Sequence, residues 1–206
     1  MEERPFKGRV SRIEMKLGFS PSRLKQHNKV TESFKCATCG KVHETLAMSF
    51  AADSPDMYAN MNRDERDARC IRGSDQYIID QKWFFIRGCL EIPIAGSDEV
   101  FIWGLWASIR QEVFDELEDC WELEGREESR GPFKGRLANS LAEYPETLNL
   151  KIRILLQPVG TRPLFVVEES DHMLAIEQAS GIQRRRAIEL ASLALHAQPG
   201  GYSEPD

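Results

Sequence analysis

The sequence predicts an α+β fold, in which a mostly antiparallel sheet of about five strands packs against helices. Three observations predict it: short apolar segments alternate in polarity as strands do, other segments have apolar residues at helical spacing, and no segment repeats. With 206 residues, of which 41% are hydrophobic, the chain can bury one substantial core. We therefore expect a single domain at residues 34–196, preceded by a basic N-terminal extension at 1–33 and followed by a flexible C-terminal tail at 197–206.

The charge of the chain is divided unevenly between the extension and the domain. Residues 1–33 carry eight Lys/Arg and four Glu, so they have a net charge of +4 within a chain whose net charge is -6. Phosphate binding is driven by counterion release to a basic surface, so the acidic charge of the domain argues against a nucleic-acid partner. We expect the extension to be a solvated segment that lies on its own acidic domain.

Composition also bears on the cellular compartment. No stretch approaches the roughly 18 apolar residues of a membrane span, and the N-terminus lacks the features of a signal peptide. The five cysteines are an odd number without regular spacing, which is a poor disulfide framework. We therefore expect a cytoplasmic protein without a membrane partner.

The best-defined strands lie in the centre of the chain. Segments 76–80 and 83–94 flank the two-residue connection Gln81–Lys82, which predicts a hairpin. Alternation along the second segment places its apolar residues on one face, towards the core. The residues of that face are Phe84, Ile86, Leu90, Ile92 and Ile94. Segment 100–108 is the next predicted strand, with Trp103 and Trp106 on opposite faces.

Capping residues and apolar spacing predict the remaining elements. A short helix begins at Pro55, and a charged helix covers residues 62–69. The later elements are a helix at 108–124, a helix that begins at Pro132 and carries Leu137, Leu141 and Tyr144, strands at 151–157 and 163–168, and helices capped by Asp171 and Ser180.

One turn has the residue types of a metal site. Cys36 and Cys39 are separated by two residues, and His43 follows in the same turn, with Gly40 supplying backbone freedom. Two thiolates and an imidazole favour zinc. The residues that could supply a fourth ligand are Cys70, Cys89, His172 and His196. An open site would instead keep a water molecule and could be catalytic.

Three other interpretations of the turn remain open. A redox dithiol normally lies at a helix N-terminus, where the dipole lowers the thiol pKa. A cysteine nucleophile activated by His43 would need a third orienting group. The turn could also hold two free surface cysteines without chemical function.

Arg87 and Glu91 are predicted to share a strand face, with Cys89 between them. If that face is covered, the charges must be paired or bind a ligand, whereas on an open face they are ordinary surface residues. Trp103, Arg153 and His172 could join them at one end of the sheet in a small polar pocket. A local hydrogen bond near the start of a helix explains His172 equally well.

Four blocks of sequence resemble the bacterial domain-of-unknown-function family 2199, over about residues 34–196. The blocks are FKCATCGKVH at 34–43, WFFIRGCLEIPI at 83–94, FIWGLWAS at 101–108 and DHMLAIEQASGI at 171–182. The resemblance implies a bacterial intracellular protein and no particular activity. Its motifs direct interest to Cys36, Cys39, His43, Arg87, Glu91, Trp103, Trp106, His172 and Gln178.

Two functions are consistent with these residues. The first is a non-enzymatic binding or interaction module with a structural zinc knuckle and a protein partner. The alternative is a metal-dependent enzyme with an open zinc position, in which Glu91 or His172 acts as acid or base.

Overall fold

The computed structural model describes residues 33–36, 38–44, 46–196 and 202–203. Within these ranges it confirms the α+β class, with a large sheet, a small two-stranded sheet and helices. The predicted basic extension lies outside the described residues except for Ser33. Of the predicted C-terminal tail, only Tyr202 and Ser203 are described, and they pair with a strand of the main sheet.

The strands are β1 (Phe34–Lys35), β2 (Val42–His43), β3 (Ser49–Ala52), β4 (Cys70–Arg72), β5 (Gln76–Ile79), β6 (Trp83–Pro93), β7 (Val100–Ile109), β8 (Phe133–Leu137), β9 (Lys151–Leu155), β10 (Leu164–Val167) and β11 (Tyr202–Ser203). The helices are α1 (Asp56–Ala59), α2 (Arg63–Arg69), α3 (Gln111–Cys120), α4 (Arg126–Ser129), α5 (Met173–Ser180) and α6 (Arg184–Ala194).

Among the described residues, the main sheet has nine strands in the order β11-β3-β7-β8-β9-β10-β6-β5-β4, and β6 also pairs with β7. This extra pairing closes a ring of hydrogen-bonded strands, β6 to β10. Within this ring, β10 and β6 are parallel and pair through Leu164 and Cys89, whereas the other pairs are antiparallel. The sheet is therefore larger than predicted and mixed in direction.

The predicted core face of β6 is confirmed. Phe84, Ile86, Leu90 and Ile92 are at most 3% exposed. In the β6–β7 register Trp103 lies opposite Leu90 and Trp106 lies opposite Arg87, so the two tryptophans are on opposite faces, as predicted. We call the face that carries Arg87, Cys89 and Glu91 the outer face.

The predicted helix at Pro132 is wrong. Residues 133–137 form β8, in which the end residues Phe133 and Leu137 are buried and Lys134 is exposed. That alternation has the period of a strand, and pairing with β7 and β9 outweighs the helix-start signal of the proline.

The capping predictions at Ser108 and Ser180 are also wrong. Helix α3 begins after Arg110 and α6 after Gln183, in both cases without a side-chain cap. Ser108 instead continues β7, where strand pairing with Arg136 takes precedence over the local capping pattern.

The turn of the β5–β6 hairpin supplies a stability prediction. Asp80 and Gln81 both have left-handed backbones, with φ of 54° and 52°. Asp80 also pairs with Arg69, whereas Gln81 has an exposed side chain. Gln81→Gly should therefore raise the free energy of unfolding by about 0.5–1 kcal/mol, because glycine adopts this conformation without strain. Urea denaturation measures the change, and Gln81→Ala, which keeps the strain, should give no comparable gain.

Candidate metal centre

The predicted cysteine turn connects the two strands of a short antiparallel hairpin. Phe34 pairs with His43 in the β1–β2 register. The Cys36 amide donates to the Lys41 carbonyl at 2.9 Å, and the Gly40 amide donates to the Cys36 carbonyl at 2.9 Å. Gly40 has a φ of 69°, the left-handed conformation that glycine adopts without strain. The hairpin thus brings both thiols and the imidazole to one end.

A fourth side chain completes this group. Ligand atoms of Cys36, Cys39, His43 and His196 all lie within 4.8 Å of one another. Cys39 Sγ and His43 Nε2 are 3.4 Å apart. His196 follows the C-terminal end of α6 and is one of the four residues considered from the sequence. It is the residue that the structure places in the cluster.

Ring contacts and one hydrogen bond also hold the hairpin against α6 and the residue that follows it. The His43 ring stacks on Phe34 at a centroid distance of 5.3 Å and meets His196 edge-on at 5.9 Å. The Thr38 hydroxyl donates to the Ser192 carbonyl of α6 at 3.3 Å. These contacts join two parts of the chain that are distant in sequence.

The two thiols have different environments, since Cys36 is buried and Cys39 is exposed. Burial raises the pKa of Cys36, but hydrogen bonds with the backbone of Cys39 and Thr38 and with the side chains of Ser192 and Cys39 together outweigh it and lower the pKa to about 6. A thiol with a lowered pKa forms the thiolate that metals require.

The donor set and its spacing fit zinc. With zinc–sulfur bonds of about 2.3 Å and zinc–nitrogen bonds of about 2.0 Å, neighbouring ligands of a tetrahedral site lie about 3.5 Å apart. The 3.4 Å between Cys39 Sγ and His43 Nε2 matches this spacing. A redox dithiol is less well supported, because the turn lies between two strands and not at a helix N-terminus.

Three of the predicted pocket residues lie on the outer face. The Arg87 guanidinium is 5.8 Å from the centre of the Trp106 ring, and Glu91 lies further along the same face. The Trp106 indole donates to the Ala52 carbonyl at 3.1 Å, which fixes the ring. Trp103 lies on the opposite, core face.

The other two predicted pocket residues make local hydrogen bonds. His172 caps α5, because its Nδ1 accepts from the Leu174 amide at 3.1 Å. The Gln178 side chain bonds to the backbone of Val167 and Phe165 in β10. Both residues therefore have structural partners within the fold.

The sequence pattern gave no sign of two residues that lie near Arg87. Asp75 and Arg162 form an ion pair at 2.6 Å, and both act electrostatically on Arg87. They belong to separate connections between strands, and no local spacing relates them to β6. Only the tertiary structure brings these three charges together.

The fold and the cluster define an α+β protein with a candidate Cys2His2 metal centre. The chain belongs to the family described as "Uncharacterized protein conserved in bacteria (DUF2199)", whose model matches residues 35–182. The resemblance seen in the sequence is thus confirmed. The matched range contains Cys36, Cys39 and His43 and ends before His196.

Searches of curated proteins and of solved structures found no match. Within the described part of the chain, no helix has the length and apolar character needed to cross a membrane.

Proposed function

We propose that this protein is a non-enzymatic binding module of the bacterial cytoplasm in which one zinc ion joins the β1–β2 hairpin to α6. The observation that carries the proposal is the convergence of four ligand atoms within 4.8 Å. Four protein ligands leave no coordination position for water, which is typical of structural zinc. Bound zinc would supply a fixed cross-link between Cys36, Cys39, His43 and His196.

The small size of the hairpin supports a structural role for the metal. Strands β1 and β2 have two residues each. An isolated two-stranded hairpin is marginal in water, so this one needs further contacts to remain ordered. Three ligands lie in the hairpin and the fourth follows α6, so a metal would join parts of the chain that are distant in sequence. Because these ligands come together only in the folded chain, the free energy of metal binding would add to the stability of the fold.

The free cysteines support the proposed compartment, and the net charge supports the proposed type of partner. Those within the described residues are free thiols, as expected in a reducing cytoplasm. The acidic net charge of -6 favours a protein partner over nucleic acid.

A metal-dependent enzyme is the second candidate. His196 is exposed and lies beyond the residues that the family model matches. A site that uses only Cys36, Cys39 and His43 would keep an open position for water, the arrangement of catalytic zinc.

Metal analysis tests the proposal. Protein purified without chelator should contain about one zinc per chain, and X-ray absorption should show two sulfur and two nitrogen ligands. His196→Ala should weaken zinc binding at least about 100-fold, because loss of even an outer-shell partner costs about 10–100-fold. His172→Ala removes a histidine outside the cluster and should leave binding unchanged.

Two results would contradict parts of this proposal. Less than about a tenth of an equivalent of zinc, with folding unchanged by chelator, would reject a structural metal. An unaltered coordination shell in His196→Ala would reject the closed site and favour the enzyme with an open position.

A further inference from the structure

A second group of charged residues lies on the outer face of β6 and shares no residue with the metal centre. We call Arg87, Asp75 and Arg162 the outer-face cluster. Arg162 Nε and Asp75 Oδ1 are 2.6 Å apart, and the Arg87 backbone amide donates to the Asp75 carbonyl at 2.9 Å. The Trp106 ring lies 5.8 Å from the Arg87 guanidinium and forms one wall of the cluster.

The Arg87 side chain has an unsatisfied donor. Its Nε is buried and has no hydrogen-bond partner within the ranges that the structure describes. Both carboxylate oxygens of Asp75 have other donors: Arg162 Nε at Oδ1 and the Ser74 hydroxyl at Oδ2, the latter at 2.8 Å. A buried guanidinium donor without an acceptor is costly, so a bound group that supplies an acceptor oxygen would stabilise it.

The charges around Arg87 are of both signs. Burial lowers the pKa of Arg87, and repulsion from Arg162 lowers it further, while Asp75 and Asp53 act in the opposite direction. The neighbouring Cys89 does not balance the charge, because burial raises the pKa of its thiol and keeps it neutral.

We propose that Arg87 binds the carboxylate group of a ligand. The planar guanidinium fork matches a carboxylate, with Nε–H and one terminal N–H as parallel donors. Arg87 is half-buried, and the Arg162 side chain is 24% exposed, so the cluster is reachable from solvent. The nearby carboxylates of Asp53, Asp75 and Glu91 repel a dianion more than a monoanion, which favours a carboxylate over a phosphate group.

The Arg87 Nε–Hε signal of the ¹⁵N-labelled full chain provides a direct test. It should shift and saturate on titration with sodium acetate at constant ionic strength. Inorganic phosphate at the same ionic strength should bind at least about threefold more weakly. A shift that rises linearly without saturation would overturn the proposal, and phosphate binding as tight as acetate binding would overturn the choice of carboxylate.

Variants separate the fork from simple charge. Arg87→Lys keeps the charge but removes the paired donors. Acetate should therefore bind at least about fivefold more weakly to this variant, as measured from the shift of the Trp106 indole signal. Arg184→Gln removes an arginine that pairs with Glu99 at 2.6 Å outside the cluster, and acetate binding should not change. Equal acetate affinity in Arg87→Lys and the unaltered chain would contradict the role of the guanidinium fork.

Discussion

Replacing Arg126 by methionine should lower the free energy of unfolding by about 3–5 kcal/mol, since hydrogen bonds to a charged group contribute about 1.5–3 kcal/mol each and are not fully additive. Arg126 is only 1% exposed. Its guanidinium donates to the Gln157 carbonyl at 2.8 Å, to the Thr161 carbonyl at 3.0 Å and to the Trp121 carbonyl. Methionine fills similar space but leaves these carbonyls without their donors. The hydrogen bonds through which Arg126 joins the end of α3 to the β9–β10 connection would be lost.

Urea denaturation followed by tryptophan fluorescence measures this effect, and a neighbouring arginine provides the matched control. The Arg130 side chain is 47% exposed and lies 3.7 Å from Glu116. Exposed ion pairs contribute about 0–1 kcal/mol, so Arg130→Met should change stability little. Arg126→Lys keeps the charge without the fork and should lose most of the stabilisation. Equal losses in Arg126→Met and Arg130→Met would show that the carbonyl contacts add nothing.

The sequence could not have identified Arg126 as the buried arginine. It belongs to a charged segment at 125–131 in which Arg130 has the same side chain and an exposed position. Two residues whose carbonyls accept from Arg126, Gln157 and Thr161, are 31 and 35 positions away in the sequence. The carbonyls that allow this charge to be buried are distant in sequence. Because every residue has a backbone carbonyl, the amino-acid sequence does not show which ones will accept these hydrogen bonds.

The metal centre shows the same division between local and distant information. Cys36, Cys39 and His43 could be predicted because one turn contains them all. The selection of His196 over Cys70 or the other candidates depends on where α6 ends relative to the hairpin. The periodicity of side chains along the sequence does not predict where the end of α6 lies relative to the hairpin.

The sheet was predictable to a similar extent. Polarity alternation predicted both faces of β6 and the separation of Trp103 from Trp106, because alternation is a local property. Closure of the ring depends on the parallel contact between Leu164 and Cys89, which are distant in sequence. The helix predicted at Pro132 failed for a related reason, since pairing with two strands outweighed a local signal.

Gln178→Leu should lower the free energy of unfolding by about 2–4 kcal/mol, because it removes a side chain that bridges β6 and β10 where their direct pairing stops. Gln178 Oε1 accepts from the Val167 amide at 2.8 Å, and Nε2 donates to the Phe165 carbonyl at 2.8 Å. Nε2 also lies 3.4 Å from the Glu91 carbonyl of β6. The amide therefore replaces ladder hydrogen bonds that the two strands do not make with each other.

A second glutamine allows the same substitution where no such bridge exists. Gln183 precedes α6, is exposed and makes no side-chain cap, so Gln183→Leu should change stability by less than about 0.5 kcal/mol. Gln178→Glu keeps an acceptor for the Val167 amide but not the donors, and its loss should be intermediate. Hydrogen exchange at the Val167 amide should accelerate in Gln178→Leu and not in Gln183→Leu. Equal stability of the two leucine variants would show that the Gln178 hydrogen bonds do not stabilise the contact between β6 and β10.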